Sequence, residues 1–257
     1  MKNNFRTKKR FGQHLLISEG IISKIVDEID VKYSDTIVEI GVGTGQLTKE
    51  ILNRNPKILY GIEIDKTAYP IIEEKFFEYE NFKLIKDDFF NVNLFELVKN
   101  EKIKLVGNLP YNVSSLILID TVFYIDIIEK TIFMLQKEVA EKLIAKPKTK
   151  NYTFLSVFIQ TFFEIEYIMS VPPRFFSPPP KVVSAVVKMV PKNSFPNLDK
   201  KAFKNFVSSL FANKRKMLRK KLPIEALKEA NIPETTRVEE LNLEDFLNLF
   251  KIVNKNS

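Results

Sequence analysis

Five short apolar runs separated by helix-like stretches constrain this chain more than any other feature. TIVEI (36–40), ILYGIEI (58–64), FKLIK (82–86), KLVGN (104–108) and TIFMLQ (131–136) recur at intervals of roughly 20–27 residues. Runs this short suit strands. Between them lie QLTKEILNR and TAYPIIEEKFFEY, and before them Ile21, Ile22, Ile25, Val26 and Ile29 fall at helical spacing. Strands alternating with helices build βαβ units, and the crossover helices make the sheet parallel. The expected class is therefore α/β. Hydrophobic residues form 45% of the 257, enough for an ordinary core.

The pattern changes after residue 160. FFEIEYIMSVP (162–172) and SAVVKMVP (184–191) are strand-like runs joined by PRFFSPPPK. A connection without a helix predicts an antiparallel pair at the sheet edge. Pro178, Pro179 and Pro180 exclude helix or ladder at their own positions and predict a stiff extended loop. Beyond Pro191 the pattern is purely helical. Phe203, Phe206, Val207, Leu210 and Phe211 share one face, and IEALKEA (224–230) and LEDFLNLFKIV (243–253) supply two more helices. The expected division is a sheet domain over 1–192 and a small all-helical domain over 193–257.

Several function classes drop out. There is no cysteine, so disulfides, thiolate metal sites and cysteine nucleophiles are excluded, and a reducing compartment is the plain reading. No run approaches the length of a membrane helix, and MKNNFRTKKRFGQHLL lacks the apolar core of a signal peptide. A cytoplasmic protein without a membrane or metal partner is expected, and a monomer. The net charge is +8, and it is segregated. Residues 1–18 hold five basic residues and no acid; residues 181–221 hold twelve and one acid, Asp199. The rest of the chain has more acids than bases. Clustered positive charge is the footprint of a polyanion binder, because each neutralised phosphate releases counterions.

Three loops carry candidate chemistry. Gly41, Gly43 and Gly45 end the first strand and open a helix, where glycines let backbone approach a ligand. Glu63 ends the next strand, 22 positions after Gly41, where an acid bonds ribose hydroxyls in doubly wound folds. The G-x-G-x-G spacing differs from the G-x-G-x-x-G of pyrophosphate binders, yet does not choose between a dinucleotide and S-adenosylmethionine. Asp87 and Asp88 follow the third strand; either could accept from an adenine amino group, or cap a helix. Asn108-Leu109-Pro110-Tyr111 follows the fourth strand, at the edge where open α/β sheets bind ligands. It offers the Asn108 side-chain carbonyl, the Leu109 carbonyl held by Pro110, and the flat face of Tyr111. Two acceptors and a stacking ring suit a planar amine. Acceptors on its N–H groups favour pyramidal nitrogen and release its lone pair towards an electrophile, which stabilises charge developing in the transition state.

FGQHLL, VEIGVGTGQLT, GIEID, VGNLPYNVSS, FMLQKEVAEKL, VPPRFFSPPPKVVSAVV and FANKRKMLRKKL together resemble the ribosomal RNA adenine N6,N6-dimethyltransferases, in family order from about Phe11 to the last helix. The resemblance implies a Rossmann-like S-adenosylmethionine-dependent methyltransferase domain with a C-terminal helical rRNA-binding domain. It implies S-adenosyl-L-methionine as methyl donor and two adjacent adenosines near the 3′ end of small-subunit (16S) rRNA, in an assembly intermediate, as substrate. Carried over by position, His14, Leu16, Gly41, Gly43, Glu63, Asp88 and Asn108 would hold the cofactor. Asn108, Leu109, Pro110 and Tyr111 would form the catalytic turn. His14, the sole histidine, stands where the family often has Asn, which implies hydrogen bonding rather than proton transfer. Lys8, Lys9, Arg10, Lys214, Arg215, Lys216, Arg219, Lys220 and Lys221 would touch rRNA. Three rivals compete: a non-catalytic rRNA-binding assembly factor, a large-subunit adenine methyltransferase, and a nicotinamide enzyme, which the glycine spacing disfavours.

Overall fold

The computed structural model describes residues 14–255. They form two units. The first runs up to Ala140 and resumes over Glu164–Pro191; the second takes Glu141–Phe163 and everything from Lys192 onward. The expected 1–192 domain thus gives up a 23-residue stretch to the helical unit. Its YTFLSVFIQTFF run is mostly apolar, so it joins whichever core buries it, and that choice is tertiary.

In the first unit, β1 (Leu15–Leu16) and α1 (Glu19–Ile29) precede the sheet. Then come β2 (Thr36–Ile40), α2 (Gln46–Asn53), β3 (Ile58–Ile62), α3 (Tyr69–Phe76) and β4 (Phe82–Ile85). The short α4 (Leu94–Leu97), β5 (Ile103–Asn108), α5 (Ser114–Thr121) and β6 (Ile128–Gln136) follow. α6 (Lys137–Leu143) leads towards the helical unit and α7 (Phe154–Phe162) lies in it. The chain returns as β7 (Phe163–Val171), β8 (Phe176–Ser177) and β9 (Ser184–Pro191).

The main sheet has the order β4-β3-β2-β5-β6-β9-β7. β4, β3, β2, β5 and β6 are parallel, as the strand–helix alternation requires. The reversal of order on either side of β2 and β5 places a crevice at their carboxyl ends. β9 runs antiparallel to β6 and lies between β6 and the edge strand β7. Every residue of β2 is buried, as are the first five of β5, because helices cover both faces. Ile22, Ile25, Val26 and Ile29 of α1 pack with Ile37, Ile51, Leu59, Ile72 and Val106 in one core. Gly107 lets β5 approach β2: a Cβ there would lie 2.5 Å from the Ile40 carbonyl oxygen.

A second, two-stranded sheet pairs β1 with β8, Leu15 opposite Ser177 and Leu16 opposite Phe176. The ladder stops where the prolines begin, since proline has no N–H to donate.

In the helical unit, α7 packs with α8 (Lys200–Phe211) and α10 (Leu243–Lys255), and α10 packs with α9 (Ile224–Glu229). Its core is aromatic. Phe203 meets the rings of Phe158, Phe162 and Phe250 at centroid distances of 6.4, 6.3 and 5.2 Å. The buried Tyr152 hydroxyl donates to the Leu241 carbonyl at 3.1 Å.

Candidate active site

A cavity of about 310 Å³ opens at the carboxyl edge of the parallel strands. Of the residues singled out from sequence, His14, Gly41, Gly43, Glu63, Asp87, Asp88 and the whole Asn108–Tyr111 turn line it. Leu16 does not. Its side chain is 7% exposed and belongs to the core, while Leu15 faces the cavity. Successive strand residues point to opposite faces, so any contact by Leu16 would come from its backbone. Lys8, Lys9 and Arg10 lie outside the described residues.

The glycine loop is held from below and behind. Gly41, Gly43 and Gly45 all have positive φ. At Gly45 a Cβ would meet the Phe76 ring at 2.4 Å, so the loop needs glycine for space as well as conformation. The Lys75 ammonium donates to the carbonyls of Thr44 and Gly45 at 2.9 and 3.2 Å. Burial pushes the Lys75 pKa down. Beneath the loop, Glu39 is fully buried and accepts a 2.6 Å hydrogen bond from the Thr48 hydroxyl. Burial pushes its carboxyl up to about 8, and the nearby Glu63 charge adds to the shift.

Glu63 ties two loops together. One carboxylate oxygen accepts from the Gly43 N–H at 2.8 Å and the other from the Asp65 N–H at 2.7 Å. Burial raises its pKa and these two backbone donors oppose the rise. A carboxylate oxygen has two lone pairs. The carboxylate has four lone pairs and three backbone donors, Gly43, Asp65 and Ile64, so it keeps acceptor capacity towards a hydroxyl in the cavity, which fits a ribose. Asp88 caps a turn of 3₁₀ helix by accepting from the Phe90 N–H at 3.1 Å. Asp87 accepts from the Asn91 amide at 2.8 Å and the Asp88 N–H at 2.7 Å, and the Asn91 bond holds its pKa down. Phe89, Phe90 and Ile64 complete this wall.

The Asn108 amide nitrogen donates to the His14 carbonyl at 2.8 Å. A carbonyl can only accept, so this bond fixes which way the amide points and leaves its oxygen as the acceptor. The Leu109 N–H donates to the Met134 carbonyl at 2.9 Å, anchoring the turn to β6. Helix α5 is started by the next carbonyl: Pro110 O accepts from Val113 and Ser114 at 3.1 and 2.9 Å. The ring of Tyr111 lies 5.5 Å from that of His14 and tilts 32° to it. Its hydroxyl pairs with the Ser184 hydroxyl at 2.6 Å, and burial raises its pKa. His14 Nδ1 is 2.8 Å from the Pro178 carbonyl. Sequence reasoning missed Ser184. Its only signal was its place in the VPPRFFSPPPKVVSAVV motif, and its partner is 73 residues away.

The basic run lies in the helical unit. Lys214, Arg215, Lys216, Arg219 and Lys220 are exposed, and Lys214 pairs with Glu239 at 3.6 Å. Lys221 differs: it is half-buried and its ammonium donates to the Leu210 carbonyl near the end of α8. That position favours a cation through the helix dipole and gives Lys221 a structural task.

An open, mostly parallel α/β sheet with a glycine loop, an acid at the end of the second parallel strand and an Asn-Leu-Pro-Tyr turn defines a Rossmann-like methyltransferase fold. A family profile described as ribosomal RNA adenine dimethylase matches residues 4–255. The chain belongs to that family. It is 65% identical over 249 residues to the ribosomal RNA small subunit methyltransferase A of Persephonella marina, covering 96% of this chain and 94% of that protein. It is 62% identical to the protein of the same name from Sulfurihydrogenibium sp., covering 98% of both. Among solved structures it resembles a dimethyladenosine transferase from Plasmodium falciparum, with a TM-score of 0.82, 26% identity, and 94% and 98% of the two chains covered. It also resembles the 23S rRNA methyltransferase ErmE, with a TM-score of 0.69, 25% identity and coverages of 93% and 99%. Among the described residues no cluster of three or more His, Asp or Glu could hold a metal, and no helix is long and apolar enough to cross a membrane.

Proposed function

We propose that this chain dimethylates the N6 amino groups of two adjacent adenosines near the 3′ end of small-subunit rRNA in an assembly intermediate. The observation that carries this reading is Asn108: its amide nitrogen is tied to the His14 carbonyl, so its oxygen is the polar atom left to receive an amine.

S-adenosylmethionine, when bound, supplies a methyl group on a sulfonium. Glu63 would hold its ribose, Gly41 and Gly43 would admit it against backbone, and Asp87 or Asp88 would take its adenine amine. The target base must leave its stack to reach the cavity. Tyr111 stacks on it, while the Asn108 side-chain oxygen and the Leu109 carbonyl accept from its amine. Those acceptors hold the N–H groups out of the ring plane and stabilise the positive charge that develops on nitrogen. No strong base is needed, since the alkylated amine can lose its proton to water. The exposed cations of residues 214–220, with Lys8, Lys9 and Arg10, grip the rRNA backbone.

A large-subunit target is disfavoured by the 65% identity, over 96% of this chain, to a small-subunit enzyme, and by the higher TM-score to the dimethyladenosine transferase, 0.82 against 0.69 for the 23S enzyme. A purely non-catalytic role is disfavoured by the intact turn. The test is to incubate the protein and labelled methyl donor with immature small and large subunits. Dimethyladenosine near the 3′ end of small-subunit rRNA is expected. Label confined to the large subunit, or none on either, overturns the reading.

A further inference from the structure

Ser184 is wholly buried, yet it is polar and begins a strand that supplies none of the acceptors for the amine. Its position follows from topology. The parallel strands bring their last residues to the cavity edge, as β5 does with Asn108. β9 runs the other way beside β6, with Ser184 opposite Gln136, the last residue of β6. The reversed strand therefore brings its first residue to the same edge. The N–H of Lys137 donates to the Val183 carbonyl at 2.9 Å and pins this start in place.

There the Ser184 hydroxyl meets the Tyr111 hydroxyl at 2.6 Å. Tyr111 sits in a turn whose backbone is fixed at both sides, by Leu109 on β6 and by Pro110 at the start of α5. The backbone does not fix the ring, which can still rotate about its two side-chain torsions. Its tip needs a partner, because a buried phenol without one is costly. The phenolic oxygen lies on the ring's long axis, so a fixed partner there sets the direction of that axis, and a residue on a sheet strand is a rigid place to put it.

We infer that Ser184 is a positioning residue for the methyl transfer: its hydroxyl, held on β9, fixes where the Tyr111 ring lies and which way its long axis points as it receives the flipped adenine. This rests on the reading of Tyr111 as the stacking platform. A platform that swings away from this direction moves the amine off line with the incoming methyl group, so the loss falls on the chemical step rather than on cofactor binding.

The experiment compares Ser184→Ala, Tyr111→Phe, the double variant and Tyr111→Ala in single-turnover methylation of bound small subunits. Cofactor affinity is measured by calorimetry and folding by melting. Ser184→Ala and Tyr111→Phe remove the same hydrogen bond and keep the ring, so each should slow the step about 3- to 10-fold with cofactor affinity unchanged. The double variant should be no slower than the slower single, because one bond can be broken only once. A normal rate in both single variants overturns the inference, and so does a double variant whose loss is the product of the two. If Ser184→Ala does not fold, Tyr111→Phe decides alone, since it breaks the bond without touching β9. Tyr111→Ala separates the two levels. A large loss there with normal Tyr111→Phe and Ser184→Ala rates keeps the platform and rejects Ser184. A normal rate in Tyr111→Ala rejects both.

Discussion

Strand β5 carries a polar side chain near each end, and the two are treated differently. Near its start, Lys104 is buried and donates to the Asp30 carbonyl at 2.7 Å and the Asp35 carboxylate at 2.6 Å, with Glu129 at 3.7 Å. Around it, Glu101 accepts from Thr36 and from Lys57. These groups satisfy one another and close the amino end of the sheet. At the other end, Asn108 gives its nitrogen to His14 and keeps its oxygen, and Glu63 is held by backbone donors and keeps part of its acceptor capacity. Saturated groups do structural work, while partly bonded groups are held in place by the bonds they have and present the remainder to a ligand. A carboxylate with no protein partner would be less useful here, because nothing would aim it.

The largest expected effect tests the closed end. Lys104→Ala leaves the half-buried Asp35 carboxylate without its cation and should cost about 3–5 kcal/mol of unfolding free energy in urea titration. A loss below about 1 kcal/mol would mean that the amino end is not locked by charge. The open end should show the opposite profile. Asn108→Ala should melt near the parent temperature but slow single-turnover methylation about 10²–10³-fold, as for removal of one transition-state hydrogen bond. A near-normal rate would make the turn structural. Glu63→Ala, also at the open end, should have a smaller effect and weaken cofactor binding by roughly 1.5–3 kcal/mol in calorimetry; unchanged affinity in a folded variant would remove Glu63 from the site.

Glu39 sharpens the contrast through pH. Its carboxyl is raised from 4.5 to about 8 in the folded chain. Between those values the native state keeps a proton that the unfolded state releases, so stability falls as pH rises, by up to about 1.4 kcal/mol per unit from this group. The contribution is whole below about 4.5 and gone above about 8. Glu39→Gln keeps an acceptor for Thr48 and should flatten that slope in denaturation series from pH 5 to 8. The smallest effect concerns the basic run. Lys216→Gln, Arg219→Gln and Lys220→Gln should each reduce the salt dependence of subunit binding, by about 0.7–0.9 log units of slope for every phosphate left without its cation. Lys221→Gln should lower the melting temperature and leave the salt slope alone, because Lys221 is tied to Leu210.

The parallel strands were legible because each is a contiguous apolar run bounded by glycine or polar residues. The positions of Gly41, Glu63, Asp88 and Asn108 at the sheet edge followed from that, since each closes or follows such a run. Other features were not legible, for separate reasons. β1 and β8 are two residues each, too short to show a period. Leu15 and Leu16 are chemically alike, and only the register against Phe176 and Ser177 tells which one faces the cavity. Glu141–Phe163 interrupts the sheet domain and joins the second unit, a choice made by packing against Phe203 and its neighbours rather than by local pattern. Ser184 belongs with these, because a hydroxyl pair 73 residues apart leaves no trace in spacing.

The stitching of β1 to β8 also orders events during synthesis. His14 and Leu15 are among the earliest parts of the cavity wall to be made, and Asn108 and Tyr111 come midway. Pro178, whose carbonyl meets the His14 ring, and Ser184, which holds Tyr111, are made last. Chains emerge vectorially at about 5–20 residues per second. A growing chain can therefore lay down five parallel strands and still lack the pieces that hold the two sides of the cavity. The nascent protein has a sheet well before it has a working site, and the segment 176–184 sets the moment at which one becomes the other.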